Sequence, residues 1–308
     1  MGISHLLTLN ELSKGDILEL LDKADRLKRE RRIHKKLLAG RSLALLFKKV
    51  STRTRVSFDV AIHELGGYSI FLNESDIQLS RGERIEDTAK TLSKYVDFIV
   101  ARVYGHDQVE RLATASNVPV INALSNTHHP CQALSDLQTI REEKGALDSV
   151  KIAWIGDSTN VCNELMIGAA KVGADFALAS PRDFRPPEAI LMRAVADAQK
   201  SGSRLTITTD PLKAVTDADV IATDSFVSMG TEKGRARRLR AFIPRYQVTA
   251  NLIESGRDAI FMHCLPAKRG EEITDGVLDH PSSKVWQQVE NKIHMHKAIL
   301  LELFKKQG

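Results

Sequence analysis

Residues 42–72 run SLALLFKKVSTRTRVSFDVAIHELGGYSIFL, and the succession of patterns inside this stretch decides the fold class. Leu43–Phe47 is a wholly apolar run of strand length. Phe58, Ala61, Ile62 and Leu65 then recur at i, i+3, i+4 and i+7, one face of a helix, and Gly66–Gly67 supplies a left-handed terminator. Tyr68–Leu72 is apolar and β-type again. Strand, helix and strand in this order form a βαβ unit, whose two strands lie parallel.

The alternation continues outward. Further strands are predicted at Phe98–Ala101 and Val118–Asn122 and, after a helix at Gln132–Glu143, at Val150–Ile155, Phe176–Ala179, Leu205–Thr208, Val220–Thr223 and Ile260–His263. A long final helix runs from about Gln287 to Phe304. The predicted class is α/β with two domains, each a central parallel sheet flanked by helices. The charged stretch Arg141–Gly145 marks the boundary, placing the domains at 1–145 and 146–308. A chain of 308 residues agrees with two cores at about 150 residues each.

Composition narrows the function classes. Hydrophobic residues make up 43% and charged residues 27%, ordinary for a globular chain. No stretch approaches the roughly 18 apolar residues of a membrane helix. Cys131, Cys162 and Cys264 are far apart and odd in number, which argues against a disulfide framework and against a four-ligand zinc site. Met1–Leu9 shows no export or anchoring signal, so a cytoplasmic location without membrane attachment is expected. The net charge of +5 suits either nucleic acid or a small anionic substrate. Its densest run, Arg26–Lys36, follows the helical stripe Ile17, Leu20, Leu21, Ala24 and Leu27 without an aromatic residue and reads as a solvated face. The strand ending at Ile155 meets Gly156-Asp157-Ser158-Thr159-Asn160 rather than GxGxxG, and no GxxxxGK[ST] occurs, so neither a nicotinamide cofactor nor a nucleoside triphosphate is supported.

Chemistry concentrates at the strand ends. Ser51-Thr52-Arg53-Thr54-Arg55 opens the first βαβ helix, where free backbone N–H groups and the positive dipole end join three hydroxyls and two guanidinium groups. That is an anion site, most naturally for phosphate. Neighbouring helical residues point in different directions, so Arg53 is assigned to the ligand and Arg55 to support. Ligands of an open parallel sheet collect at the carboxyl ends of its strands. Arg102, ending the third strand, and His129-Pro130-Cys131-Gln132, following the fourth, therefore converge on the same anion. An arginine, an imidazole and an amide together suit a phosphate next to a carbonyl. In the second half, Asn160, Asp224 and the segment Ser228-Met229-Gly230 suit the ammonium and carboxylate of an amino acid. Cys264 follows His263, but adjacent strand residues point to opposite faces, which weakens a thiol–imidazole dyad.

Together, Phe47-x-Lys49-x-Ser51-Thr52-Arg53-Thr54-Arg55, Arg102, His129-Pro130-Cys131-Gln132, Ser228-Met229-Gly230 and His263-Cys264-Leu265-Pro266 span nearly the whole chain and resemble the ornithine branch of the aspartate/ornithine carbamoyltransferase family. The first and third motifs are similar in the aspartate branch; the last two are specific to ornithine. The resemblance implies a carbamoyl phosphate-binding first domain and an ornithine-binding second domain, with the final helix packing back on the first. It implies that Ser51, Thr52, Arg53 and Thr54 with Arg102 hold the phosphate, while Thr54, Arg102, His129 and Gln132 surround the carbamoyl oxygen and amide. Gln78 would reach carbamoyl phosphate from a neighbouring subunit, so a homotrimer or an assembly of trimers is expected. Asn160, Asp224, Ser228 and Met229 would bind the α-amino and carboxylate groups of ornithine. Cys264 and Leu265 would line the place where the δ-amine attacks, with Cys264 positioning rather than forming a covalent bond. The implied reaction converts carbamoyl phosphate and L-ornithine to L-citrulline and phosphate without metal, organic cofactor, nucleic acid or membrane. Transfer to putrescine, an acylated ornithine or aspartate, and a non-catalytic RNA-binding role on the same fold, are the alternatives.

The chain departs from the family in places. Glu290-Asn291-Lys292 stands where Glu-Asn-Arg is usual, and lysine lacks the bidentate fork of arginine, so Lys292 is expected to make a remade contact with carbamoyl phosphate. Val50, Lys48 and Phe226 replace the usual proline, glutamate and tryptophan. The basic cluster Lys233, Arg235, Arg237, Arg238 and Arg240 reads as a solvent-facing helix start. Gly230 and Gly234 read as hinges of a loop closing over ornithine.

Overall fold

Strands covered by helices on both faces read as continuous apolar runs, and the central runs above fold this way. The computed structural model describes residues 2–30, 36–227 and 233–305. The chain divides into two units, residues 1–138 with 290–308, and residues 139–289.

In the first unit, β1 (Ser42–Phe47), β2 (Tyr68–Asn73), β3 (Phe98–Arg102) and β4 (Val120–Leu124) form a parallel sheet in the order β2-β1-β3-β4. The helices are α1 (Lys14–Arg29), α2 (Thr52–Glu64), α3 (Ile85–Leu92), α4 (His106–Ala115) and α5 (Pro130–Lys144), which runs on into the second unit. Central strands β1 and β3 are buried throughout, whereas the edge strand β2 exposes Tyr68 and Ile70. The chain leaves β1 for β2 on one side and takes β3 and β4 on the other, so the order reverses between β1 and β3. A crevice opens at such a switch point, beyond the carboxyl ends of the strands. The register places Phe47 beside Arg102 and Arg102 beside Leu124, aligning three carboxyl ends. β4 begins two residues later than the sequence predicts because Pro119 has no N–H for the ladder; its carbonyl still accepts from Ile99 N at 2.9 Å. In α1 the stripe Ile17, Leu20, Leu21, Ala24 and Leu27 is buried behind a Ser13–Asp16 capping box, while residues 31–35 of the basic run lie outside the described residues.

The second unit holds β5 (Lys151–Ile155), β6 (Asp175–Ala179), β7 (Leu205–Thr208), β8 (Val220–Thr223) and β9 (Ile260–His263), parallel in the order β7-β6-β5-β8-β9. Its helices are α6 (Asn160–Val172), α7 (Glu188–Ser201), α8 (Pro211–Val215), α9 (Arg235–Phe242) and α10 (Ala250–Glu254). The last helix, α11 (Val285–Phe304), begins here and ends in the first unit. The strand order reverses between β5 and β8, which again marks the carboxyl ends as the place for a ligand. Phe226 is buried and stacks on Phe242, with ring centroids 4.5 Å apart. It also presses on Gly156, whose φ of +123° only glycine adopts readily and where a Cβ would sit 2.8 Å from the Phe226 ring. The aromatic at position 226 therefore belongs to the core beneath the β5 turn.

Candidate active site

At the first switch point, Ser51 is the N-cap of α2 and its Oγ accepts from Thr54 N at 3.3 Å. Thr52 is exposed, Arg53 half-buried and Thr54 buried. The Arg55 guanidinium lies 3.5 Å from the centroid of the Phe71 ring on β2, a cation–π contact that occupies it, whereas Arg53 has no ion-pair partner among the described residues. Arg102 is buried at the end of β3, and its carbonyl accepts from Lys48 N at 2.8 Å, tying it to the β1–α2 turn. His129 stands at the head of α5, its carbonyl accepting from the N–H groups of Gln132 and Ala133. Burial, and then the positive charges of Lys292 and Arg102 and the His296 ring, push the His129 imidazole well below the usual histidine range. His129 is therefore neutral at pH 7, and its Nδ1 is buried without a hydrogen-bond partner among the described residues. Gln132 is buried; its Nε2 donates to Asp136 Oδ1 at 2.7 Å and its Oε1 accepts from Lys292 Nζ at 2.7 Å. Gln78 lies in a short 3-10 turn, Gln78–Arg81, with its side chain exposed.

At the second switch point, Asp224 follows β8 directly. Its Oδ2 accepts from Thr159 Oγ1 at 3.0 Å and its Oδ1 from Ser225 N at 2.7 Å and from Cys264 Sγ at 3.2 Å. Asn160 is the first residue of α6, next to Thr159. Both nitrogens of buried His263 have partners other than the thiol: Nδ1 accepts from Leu265 N at 2.9 Å and Nε2 faces Glu272 Oε1 at 3.1 Å. Leu265 takes a φ of +58°, a conformation costly for a residue with a β-carbon, and the His263 contact holds it there. Asp224, His263 and Cys264 bring ligand atoms within 4.8 Å of one another, and of these the thiol and the carboxylate are hydrogen-bonded to each other. Ser228, Met229 and Gly230 lie outside the described residues. Gly234 is the N-cap of α9.

One expectation needs correction and several participants were missed. Arg238 is not solvent-facing: it pairs with Asp157, donates from Nε to Phe226 O at 2.7 Å, and lies over the Phe184 ring. Helical periodicity explains it, since Arg238 and Phe242 are i and i+4 and share the inward face. Arg237, one residue earlier, is exposed. Asp157 rises to about 6, because burial outweighs Arg238, with the Asp224 charge adding to the rise. Asp136 was within reach of sequence reasoning, standing four residues after Gln132 on one helical face. Glu272 carried no local signal.

The family model for the carbamoyl-phosphate binding domain of aspartate/ornithine carbamoyltransferases matches residues 4–142, and that for the aspartate/ornithine binding domain matches residues 148–303. The chain is 50% identical over 300 residues to the ornithine carbamoyltransferase of Caldicellulosiruptor saccharolyticus, covering 96% of this chain and 97% of that protein. It is 46% identical over 304 residues to that of Methanocaldococcus jannaschii, covering 98% and 99%. Among solved structures, the ornithine carbamoyltransferase from Pyrococcus furiosus superposes with a TM-score of 0.92 at 48% identity, covering 96% of this chain and 95% of that one. With both domain models matched in order and identity near one half along almost its full length, this chain belongs to the aspartate/ornithine carbamoyltransferase family.

Proposed function

We propose that this protein transfers the carbamoyl group of carbamoyl phosphate to the δ-amine of L-ornithine, giving L-citrulline and phosphate. The observation that carries the reading is the cationic, buried group at the first switch point: Arg102 and Lys292 beside a neutral His129 and an amide held in one orientation. Ser51, Thr52, Arg53 and Thr54 with Arg102 hold the phosphate. Thr54, Arg102, His129 and Gln132 face the carbamoyl carbon. Addition of the amine makes a tetrahedral adduct with charge on the former carbonyl oxygen, and fixed donors stabilise it, one such donor contributing about 3 kcal/mol. A neutral imidazole has one N–H to offer to that oxygen. Loss of phosphate collapses the adduct to citrulline, and the leaving phosphate takes up the amine proton.

In the second unit, Asn160, Asp224, Ser228 and Met229 bind the α-amino and carboxylate groups of ornithine, with Cys264 and Leu265 beside the attacking amine. An alkyl ammonium loses its proton near 10.4 in water, and desolvation lowers that value toward the nucleophilic form. Gln78 completes the site of a neighbouring subunit in a homotrimer. Its exposure, and the exposed apolar side chains of Val50, Val56, Tyr68 and Ile70, support this assembly. Three free thiols suit the cytoplasm. The test is phosphate release from carbamoyl phosphate with ornithine, putrescine, N-acetylornithine and aspartate offered separately. Release with ornithine alone is expected; none with ornithine sinks the reading.

A further inference from the structure

Gln132 lies between a carboxylate and an ammonium, and all three groups are buried. Its Nε2 is 2.7 Å from Asp136 Oδ1 and its Oε1 is 2.7 Å from Lys292 Nζ. An ionised carboxylate only accepts and an ammonium only donates, so the partners themselves dictate which end of the amide faces which. Turning the amide over would set oxygen against oxygen and N–H against ammonium. The amide oxygen is thereby kept on the side of Lys292, whose charge also acts on His129. The hydrogen bond from Lys292 occupies one of the two lone-pair positions of Gln132 Oε1.

The hydroxyls, cations and helix N-terminus at this sheet edge are donors, matched to phosphate and carbonyl oxygens. The amino group of carbamoyl phosphate is itself a donor and needs an acceptor. We propose that Asp136 is a positioning residue that holds Gln132 Oε1 as the acceptor for that amino group, and so sets the preference for carbamoyl phosphate over acyl phosphates with a methyl group in its place. The inference rests on the assignment of carbamoyl phosphate to the first unit. Asp136 acts through Gln132 and touches no reacting atom. A site built around an N–H discriminates against the analogue lacking it, because the second lone pair of its buried acceptor then loses its donor.

The probes are acetyl phosphate and inorganic phosphate, each as an inhibitor competing with carbamoyl phosphate in citrulline formation. In Asp136→Asn the KM for carbamoyl phosphate rises about tenfold, the equivalent of one hydrogen bond, while both inhibition constants stay within about twofold of wild type. Asp136→Glu, which keeps the charge, recovers part of the loss. The proposal is overturned if all three ligands weaken together, as a merely structural role predicts, or if the KM for carbamoyl phosphate does not move. If Asp136→Asn does not fold, Asp136→Glu is compared with wild type: a smaller shift of the ratio in the same direction supports the proposal, and an unchanged ratio overturns it. Wild-type protein that forms no citrulline overturns the proposed activity instead, which separates the two failures.

Discussion

Cys264 poses the sharpest question at the scale of single residues, because a thiol beside an imidazole in sequence invites a nucleophilic role. His263 spends both ring nitrogens elsewhere, on Leu265 N and Glu272, and the thiol donates to Asp224. Loss of a true nucleophile costs about 10⁶ in kcat, loss of one hydrogen bond about tenfold. Cys264→Ala is therefore expected to keep kcat within about tenfold of wild type by steady-state assay, and a fall of several decades would restore the covalent reading. A second consequence concerns pH. His106 is lowered to about 4 by burial and by its neighbour His128, and His129 and His296 are pushed below the usual range chiefly by burial. Unfolding returns each to about 6.5, so the unfolded chain binds more protons between 4 and 6.5 and stability falls as pH drops through that window. Above it the stabilisation is complete. Urea midpoints measured from pH 7 to pH 4.5 are expected to decline, and less steeply in His106→Gln; an equal slope in the variant would remove His106 from the account.

Among the elements, α9 is tied to two strand ends by Arg238. Arg238 joins the helix to Asp157 beyond β5 and to the carbonyl of Phe226 beyond β8, while Lys268 Nζ donates to Val227 O at 3.0 Å. Both carbonyls preceding position 228 are thus fixed by cations. Deleting one partner of this part-buried ion pair leaves the other charge partly desolvated, at a cost of about 2 kcal/mol. Arg238→Met is expected to lower unfolding stability by about that amount and to raise the KM for ornithine more than that for carbamoyl phosphate. Equal changes in the two KM values would mean that the anchor is only structural. The contrast between Arg237 and Arg238 also shows where a charge count misleads: clustered in sequence, the two occupy different faces of one helix.

For the whole molecule, the proposed trimer makes a prediction that no single chain can meet. With Gln78 supplied by one subunit and Asp224 by its neighbour, Gln78→Ala and Asp224→Ala are each inactive alone. Unfolded, mixed in equal amounts and refolded together, they are expected to regain about a quarter of wild-type activity, since random assembly pairs one intact Asp224 with one neighbouring intact Gln78 at that frequency. No recovery in a mixture shown to be trimeric by sedimentation would place Gln78 outside the site.

Nine strands and the class of both sheets were legible in the sequence because they rest on local rules. Apolar runs such as Leu43–Phe47 and Val220–Thr223, alternating with helical patterns, read as strands covered on both faces, and Ser51-Thr52-Arg53-Thr54-Arg55 reads as a helix start, which the Ser51 cap bears out. Even the two-residue error at β4 came from a local rule, the missing N–H of Pro119. What only tertiary structure decided is who faces whom. That Arg55 lies over Phe71, that Lys292 meets Gln132 across 160 residues, and that Glu272 rather than Cys264 receives His263 all depend on how the elements pack. Periodicity and capping act over a few residues, whereas these partners are chosen by how helices and strands pack, and a buried polar group takes whatever partner the packing brings within reach.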